Sequence, residues 1–459
     1  MTVGSLARHL LPGGVSTMID RVHRLAVTDP ERIPAARYYD PEFFELERRH
    51  LWPHTWQMAC RLEEIPDVGD FVEYRILDQS IIVVRVDPHT IKAYFNACRH
   101  RATKLVDDRG NCEASGFVCP FHGWCWGLDG TNTFVYQPEL FSEAVLDPDD
   151  LRLVECRVDT WAGCAFVNMN PDAPPLRATL GRLPELLDPL NVAEMRTTWW
   201  QSTILPANWK LAMEAFFEGY HVMQTHPQLV TRHSAGADRP DEDFVELQIE
   251  GMITLGTGMG DGMILPKDVE VARTLRGIEL PDDRGAAVRV WHRELNEAIY
   301  RVSHEHGIDM PDWNQVHPGN AVFFAFPHFF LLPMYGNATL YRCRPLTPET
   351  CLYELWSTTL FPRDDQPPPT RATPVPIAHD DPWWPEIPGQ DFSNIPRQQV
   401  GLHQQGFESL RLSKDMEGLV SNAHRLIDGY LAGLPLDRLA AAGELVCTGI
   451  DEPVHDLGL

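Results

Sequence analysis

The order of apolar and polar positions changes character several times along the chain. Residues 40–53 (DPEFFELERRHLWP) read as a helix: Asp40 can cap it, Pro41 suits its first turn, and Phe43, Phe44, Leu46 and Leu51 form a broken apolar face. From 54 to 165 the runs are β-type (FVEYRI, SIIVVRV, TIKAYFN, SGFVCPF, WAGCAFVNM), divided by Gly, Asp and Pro, which predicts a small antiparallel β domain. Residues 173–195 read as a proline-broken linker with short helices, 206–226 and 286–305 as helices, and 320–361 as a β meander. A proline-rich loop follows at 363–389, and helix returns over 391–433. The expected fold class is α+β, with a leading helical segment (1–53), a small β domain (54–165) and a larger mixed domain (166–459).

Composition adds limits. With 459 residues, 44% hydrophobic and 23% charged, the chain has the make-up of a soluble globular protein, and no apolar run approaches the ~20 residues of a membrane span. The N-terminus lacks the features of a signal peptide, so the expected location is the cytoplasm. A formal net charge of −26 disfavours nucleic acid and anionic lipid as partners. Ten scattered cysteines form no disulfide framework and are expected to be reduced or to bind metal.

The chemistry concentrates first at Cys98-Arg-His100 and, eighteen residues on, Cys119-Pro-Phe-His122-Gly-Trp. Thiolate and imidazole are ligands for zinc or for iron–sulfur clusters. Zinc sites usually pair Cys with Cys and His with His. Here each pair mixes the two types, which suits a two-iron cluster with both Cys on one iron and both His on the other. The nearby Cys112 and Cys125 are expected to serve packing. Arg99, Arg101 and Lys104 make a local basic patch, either solvated surface or a docking rim for an acidic electron donor.

The segment CRHRATKLVDDRGNCEASGFVCPFHGWCWGLDG resembles the Rieske [2Fe–2S] domain of the large (α) subunit of bacterial aromatic-ring-hydroxylating oxygenases. Respiratory Rieske proteins share the four ligands but add two clamping cysteines and follow the second His with Gly-Ser. This chain has Thr103, Phe121 and Trp124 there, so it is expected to lack both the disulfide and that hydroxyl donor, and to sit low in the Rieske potential range.

A second site is expected because a Rieske cluster moves single electrons and does no substrate chemistry. The run NWKLAMEAFFEGYHVMQTH (208–226) resembles the oxygenase motif in which two His follow Asn-Trp-Lys and a Glu-Asn-x-x-Asp stretch. The resemblance implies that His221 and His226, with a downstream carboxylate, bind a mononuclear Fe(II) as a facial triad. Asp391 in GQDFSNIPRQQVGL fits the family's third ligand better than Asp364, Asp365, Asp380 or Asp381, which lie in the proline-rich loop. Two positions depart from the pattern: Ala215 replaces the Asn, and Glu218 replaces the Asp that links the two iron sites across a subunit boundary. The bridging role is carried onto Glu218, which offers the same acceptor oxygens one methylene further out.

The implied protein is a terminal oxygenase with a helix-grip, START-like catalytic domain, on which residues 1–53 pack. It uses O2 and electrons from NAD(P)H, delivered by a separate reductase and a ferredoxin, because the chain has no nucleotide-binding motif. The implied assembly is a head-to-tail trimer, with or without small β subunits. A hydrophobic aromatic or polycyclic substrate is expected for hydroxylation, from the Phe- and Leu-rich 322–335 and from Met252, Met259 and Met263 in a helical cap over 229–318. Arg289, Arg293 and Arg301 are the available carboxylate clamps. The glutamate bridge also resembles members that oxidise quaternary amines, so a monooxygenase or demethylase of such an amine or of a methoxy compound is the alternative. A Rieske electron-transfer protein without oxygenase chemistry, or a zinc-structured protein, would need neither the second His pair nor Asp391.

Overall fold

The computed structural model describes residues 24–229, 243–316, 322–371, 373, 375–448 and 452–459. The short N-terminal apolar stretch and parts of the expected cap lie outside the described residues. The chain divides into two compact units: Pro53–Thr179, and the described residues up to Trp52 together with Leu180–Leu459.

In the first unit, β1 (Gln57–Arg61), β2 (Asp70–Ile76), β3 (Gln79–Asp87), β4 (Thr90–Phe95), β5 (Arg109–Asn111), β9 (Glu155–Trp161) and β10 (Cys164–Asn168) form an antiparallel sheet in the order β1-β10-β9-β4-β3-β2-β5. The strands β6 (Phe117–Val118), β7 (Cys125–Trp126) and β8 (Asn132–Phe134) form a small second sheet. Phe71, Tyr94, Phe117 and Trp126 pack between them, with Cys98, Cys119 and Trp124 in the same cluster. The Trp126 indole donates to the Leu151 carbonyl at 2.7 Å and the Tyr94 hydroxyl to that of Leu128 at 3.0 Å, so the two large rings are buried with their polar ends satisfied.

The second unit is built on an antiparallel sheet of β11 (Arg196–Leu205), β12 (Phe323–Ala325), β13 (Phe329–Met334), β14 (Asn337–Thr347) and β15 (Thr350–Thr359), ordered β11-β15-β14-β13-β12. The central strands are buried on both faces, polar positions such as Asn337, Thr339, Arg342 and Glu354 included. A bidentate Arg342–Glu354 pair crosses β14 and β15 at 2.8 and 2.7 Å. Although burial opposes charge on Glu354, Arg342 and Arg344 hold its carboxyl at about 2. Helices α1 (Pro41–Leu46), α2 (Trp209–Glu214), α3 (Val222–Thr225), α4 (Phe244–Gly258), α5 (Pro266–Arg273), α6 (Arg284–Glu305), α7 (Glu386–Leu402) and α8 (Gly418–Leu431) belong to this unit. The Asp40 side chain caps α1 through Glu42 and Phe43, as its sequence predicts.

Two expected helices are corrected. The continuous helix over 206–226 breaks after Glu214: Phe216 and Phe217 make i to i−3 backbone bonds, and helix resumes only for one turn at α3. Adjacent side chains on a helix point apart, yet Phe216 packs on Phe330 and Tyr341 while Phe217 packs on Phe324, all from the same sheet. The helix over 391–433 is two helices separated by a strand, Ser409–Arg411, which pairs with Arg32–Pro34; the first begins at Glu386, inside the expected loop.

Helix α2 is pinned at its start. The Asn208 side chain accepts from the Lys210 amide at 2.9 Å, capping its start. Lys210 and Glu47 are both buried and meet at 2.6 Å, with the Trp209 indole donating to the other Glu47 oxygen at 3.1 Å. Truncating one partner of such a pair leaves an uncompensated buried charge. Lys210→Met is therefore expected to cost about 3–5 kcal/mol of stability. Adding Glu47→Gln should recover part of the loss in chemical unfolding, and an unchanged midpoint in the single variant would refute this account.

Candidate metal centres

The loops after β4 and between β6 and β7 bring Cys98, His100, Cys119 and His122 together. Backbone bonds shape each loop: Cys98 N to Thr103 O at 2.8 Å in the first, and Cys119 N to Trp124 O at 2.8 Å and Gly123 N to Cys119 O at 3.0 Å in the second. Gly123 takes a φ of 70° to close the second turn. The two cysteine side chains are buried and within hydrogen-bonding reach of each other. The His100 and His122 ring centroids stand 4.7 Å apart. His100 stacks flat on Trp124 at 4.6 Å, with its buried Nδ1 left without a partner, and Arg101 engages Nε2 of His122 at 2.8 Å. Two sulfurs side by side and two imidazoles with Nδ1 available fit the donor set of a His-ligated [2Fe–2S] cluster.

Burial opposes ionisation of the Cys119 thiol, but the His122 and Phe121 amides, Cys98 and the Thr103 hydroxyl outweigh it and hold the thiol below its ordinary value. Trp124 leaves the site without the respiratory hydroxyl donor, while Thr103, at the position of a respiratory clamping cysteine, supplies a different hydroxyl to the Cys119 sulfur. Cys112 and Cys125 donate to backbone carbonyls of Gly69 and Gly123 and stay outside the ligand set. In the basic patch, Lys104 is paired with Glu73 at 2.8 Å, leaving Arg99 and Arg101 exposed.

The second centre joins α3 and α7. His221 and His226 flank the single turn of α3 rather than sharing a helix face, and Asp391 enters from the second turn of α7. One ligand atom from each lies within 4.8 Å of the others. Nε2 of His226 is 3.1 Å and Nε2 of His221 is 3.8 Å from Asp391 Oδ1. Both outer nitrogens are held: His221 Nδ1 by Glu218 Oε1 at 2.8 Å, and His226 Nδ1 by Gln390 Oε1 at 2.6 Å. The second Glu218 oxygen accepts from the His221 amide at 2.9 Å, so one carboxylate sets both ring and backbone. Burial disfavours a charged His221, yet Glu218 and Asp391 together raise its proton affinity. Two Nε2 atoms and one carboxylate converge with oriented rings and an open cavity of about 200 Å³ beside them, an arrangement that fits a divalent iron with free coordination positions.

Asp364, Asp365, Asp380 and Asp381 do not join this cluster; Asp381 instead accepts from the Trp383 amide at 2.8 Å. Arg289, Arg293 and Arg301 lie on the solvent-exposed face of α6, Arg293 paired with Glu294, so the suggested carboxylate clamp is not formed by them. Met252, Met259 and Met263 are buried. Gln390 carries no signal in sequence, because nothing marks a glutamine beside Asp391 until His226 Nδ1 is brought against its side-chain oxygen. Tyr38, Glu214 and His424 are likewise unmarked and meet from three distant segments.

Residues 55–139 match the family model "Rieske [2Fe-2S] domain", and residues 192–433 match "Ring hydroxylating alpha subunit (catalytic domain)". The chain belongs to this oxygenase α-subunit family. It is 32% identical over 203 residues to the carnitine monooxygenase oxygenase subunit of Escherichia coli K12, covering 42% of this chain and 52% of that protein. It is 33% identical over 222 residues to the anthranilate 1,2-dioxygenase large subunit of Acinetobacter baylyi, covering 46% of each. The matched stretch thus spans about half the length of these curated relatives. The quaternary ammonium Rieske monooxygenase CntA in complex with L-carnitine superposes with a TM-score of 0.57 over 88% of this chain and 97% of that one, at 16% identity, a likeness of fold. No helix among the described residues is long and apolar enough to cross a membrane.

Outer partners of metal-ligating histidines typically set affinity by about 10–100-fold. Gln390→Leu is expected to weaken Fe(II) binding by about that factor in a chelator competition, with the Rieske spectrum unchanged. Hydrogen bonds to cluster sulfurs favour the reduced state, so Thr103→Val should lower the cluster midpoint potential in a redox titration.

Proposed function

We propose that this chain is the oxygenase subunit of a Rieske oxygenase system, with Cys98, His100, Cys119 and His122 holding the [2Fe–2S] cluster and His221, His226 and Asp391 holding Fe(II). The observation that carries this reading is the convergence of His221, His226 and Asp391 on a chain that also bears the Rieske donor set. The iron would supply O2 activation, and the cluster single electrons. The protein's own task is to orient the imidazoles through Glu218 and Gln390 and to leave an open side for substrate. Electrons come from a separate reductase, through a ferredoxin or directly.

The cluster of one copy serves the iron site of the next in a ring, a trimer. Exposed apolar side chains at both centres support this: Phe121 beside His122 is 62% exposed, and Tyr220 and Met223 beside His221 are 62% and 67% exposed. Glu218, already bound to His221, is the acidic group through which a neighbouring cluster histidine would connect.

For substrate, a quaternary ammonium compound displaces the aromatic hydrocarbon favoured by sequence. Two features support it: the glutamate at 218 and the carnitine monooxygenase relative. Hydroxylation of a carbon beside the nitrogen then releases an amine and a carbonyl compound. The anthranilate dioxygenase relative keeps ring dihydroxylation as the second reading.

Purified protein with a reductase and NADH is expected to release a carbonyl product from carnitine or glycine betaine and to leave naphthalene and anthranilate untouched. The reverse selectivity would overturn the substrate reading, and a protein without the low-average-g signal of a reduced Rieske cluster would overturn the whole. Glu218→Gln should retain both irons yet slow cluster oxidation in a single turnover; wild-type rates would remove its bridging role.

A further inference from the structure

Glu214, at the end of α2, lines the same cavity as Glu218, His221 and Asp391, and the reading above gives it no task. Its surroundings determine its charge. Lys210 is matched by Glu47 at 2.6 Å, and Arg37 by Asp428. His424 receives Arg37 Nε on Nδ1 at 3.0 Å, which makes it the neutral tautomer with its proton on Nε2. That nitrogen stands 2.7 Å from Glu214 Oε1, and the Tyr38 hydroxyl is 3.0 and 2.9 Å from the two Glu214 oxygens. Every cation near Glu214 therefore has its own carboxylate, and Glu214 faces only a phenol and a neutral imidazole. A carboxyl buried without a counter-ion keeps its proton. Glu417, across the cavity at the start of α8, adds negative charge and acts in the same direction. Burial, with Glu417, pushes Glu214 up to about 8, against the opposing pull of Tyr38, Lys210 and Arg37.

We propose that Glu214 is the local acid of this cavity, passing its proton through cavity water to the oxygen reduced at the neighbouring site and recovering it from solvent. The inference rests on the oxygenase reading. Hydroxylation follows R–H + O2 + 2e− + 2H+ → R–OH + H2O: one oxygen enters the R–H bond, the other leaves as water, and the reductase system supplies the electrons. Ring dihydroxylation also consumes two electrons and two protons, so the need for an acid does not depend on which substrate is used. Glu214 supplies one proton per turnover. The resulting carboxylate is held by the Tyr38 hydroxyl and His424 Nε2–H until solvent restores the proton.

A buried glutamate that merely pins α2 would leave proton delivery untouched, and Glu214→Gln separates the two roles. Glutamine keeps an acceptor for Tyr38 and His424 but has no acidic proton to release. The variant is expected to retain its unfolding midpoint, iron and cluster while single-turnover product formation falls by roughly 100-fold, the usual scale of a lost general acid. The wild-type rate is expected to fall above about pH 8, and the variant's residual rate should lack that fall. Tyr38→Phe removes a bond that favours the ionised form, so the alkaline limb should move to higher pH. Infrared difference spectra supply a readout independent of turnover: a protonated-carboxyl band that disappears as pH rises through about 8 and is missing in Glu214→Gln. A variant with the wild-type rate and pH profile, or no such band, overturns the proposal. A wild-type protein that binds iron but never oxidises substrate overturns the oxygenase reading instead, and the infrared titration still decides whether Glu214 stores a proton.

Discussion

The buried Lys210–Glu47 ion pair is the constraint on which the catalytic unit depends. It fixes α2 against the segment that follows α1, and the end of α2 is where the chain leaves its helix to present Glu214, Glu218 and His221 in succession. A buried pair of this kind is weak evidence for net stability, but it specifies one docking geometry, because any other leaves a charge without its partner. A metal site needs its ligands placed within tenths of an ångström. The Asn208 cap and the Gln399 side chain, which accepts from the Asn208 amide at 2.9 Å, tie the same helix to α7, the element that carries Asp391.

The two centres are ordered by different means. The Cys/His loops are held chiefly by their own backbone bonds and by a flat His100–Trp124 stack, so their geometry is local and their sequence signature short. The His/His/Asp site is assembled from distant segments and held by Glu218, three residues before His221, and by Gln390, 164 residues from His226 in sequence. This difference explains what could be read in advance. Paired motifs in Cys98–His122 carry their chemistry in a few residues, and the meander of 320–361 carries its sheet in successive apolar and aromatic runs broken by turn residues.

What sequence concealed is equally physical. The break after Glu214 is invisible to helical periodicity, because it arises when Phe216 and Phe217 both dock on one sheet. The true start of α7 lay hidden in a proline-rich run, although Pro388 in its first turn and Pro385 before it are compatible with helix initiation. Gln390 resembles any polar residue until His226 is seen against it. Thr103 looked like the loss of a clamp and proved to be a donor to sulfur.

Four carboxyl groups line one cavity, and the partners of three of them, Asp391, Glu218 and Glu214, separate their tasks. Asp391 points at two imidazole nitrogens and is the group best placed to share a metal's charge. Glu218 spans the amide and ring of His221 and transmits orientation. Glu214 alone faces donors that are themselves neutral, because the nearby cations are already matched by Glu47 and Asp428. Reducing O2 needs protons as well as electrons, and a site that imports electrons from another protein must obtain its protons locally. One residue type can meet these separate needs only if its environments differ, and the buried charge balance around α2 creates that difference. The ion pair that fixes the helix thus also withholds Lys210 from Glu214 and leaves that carboxyl its proton.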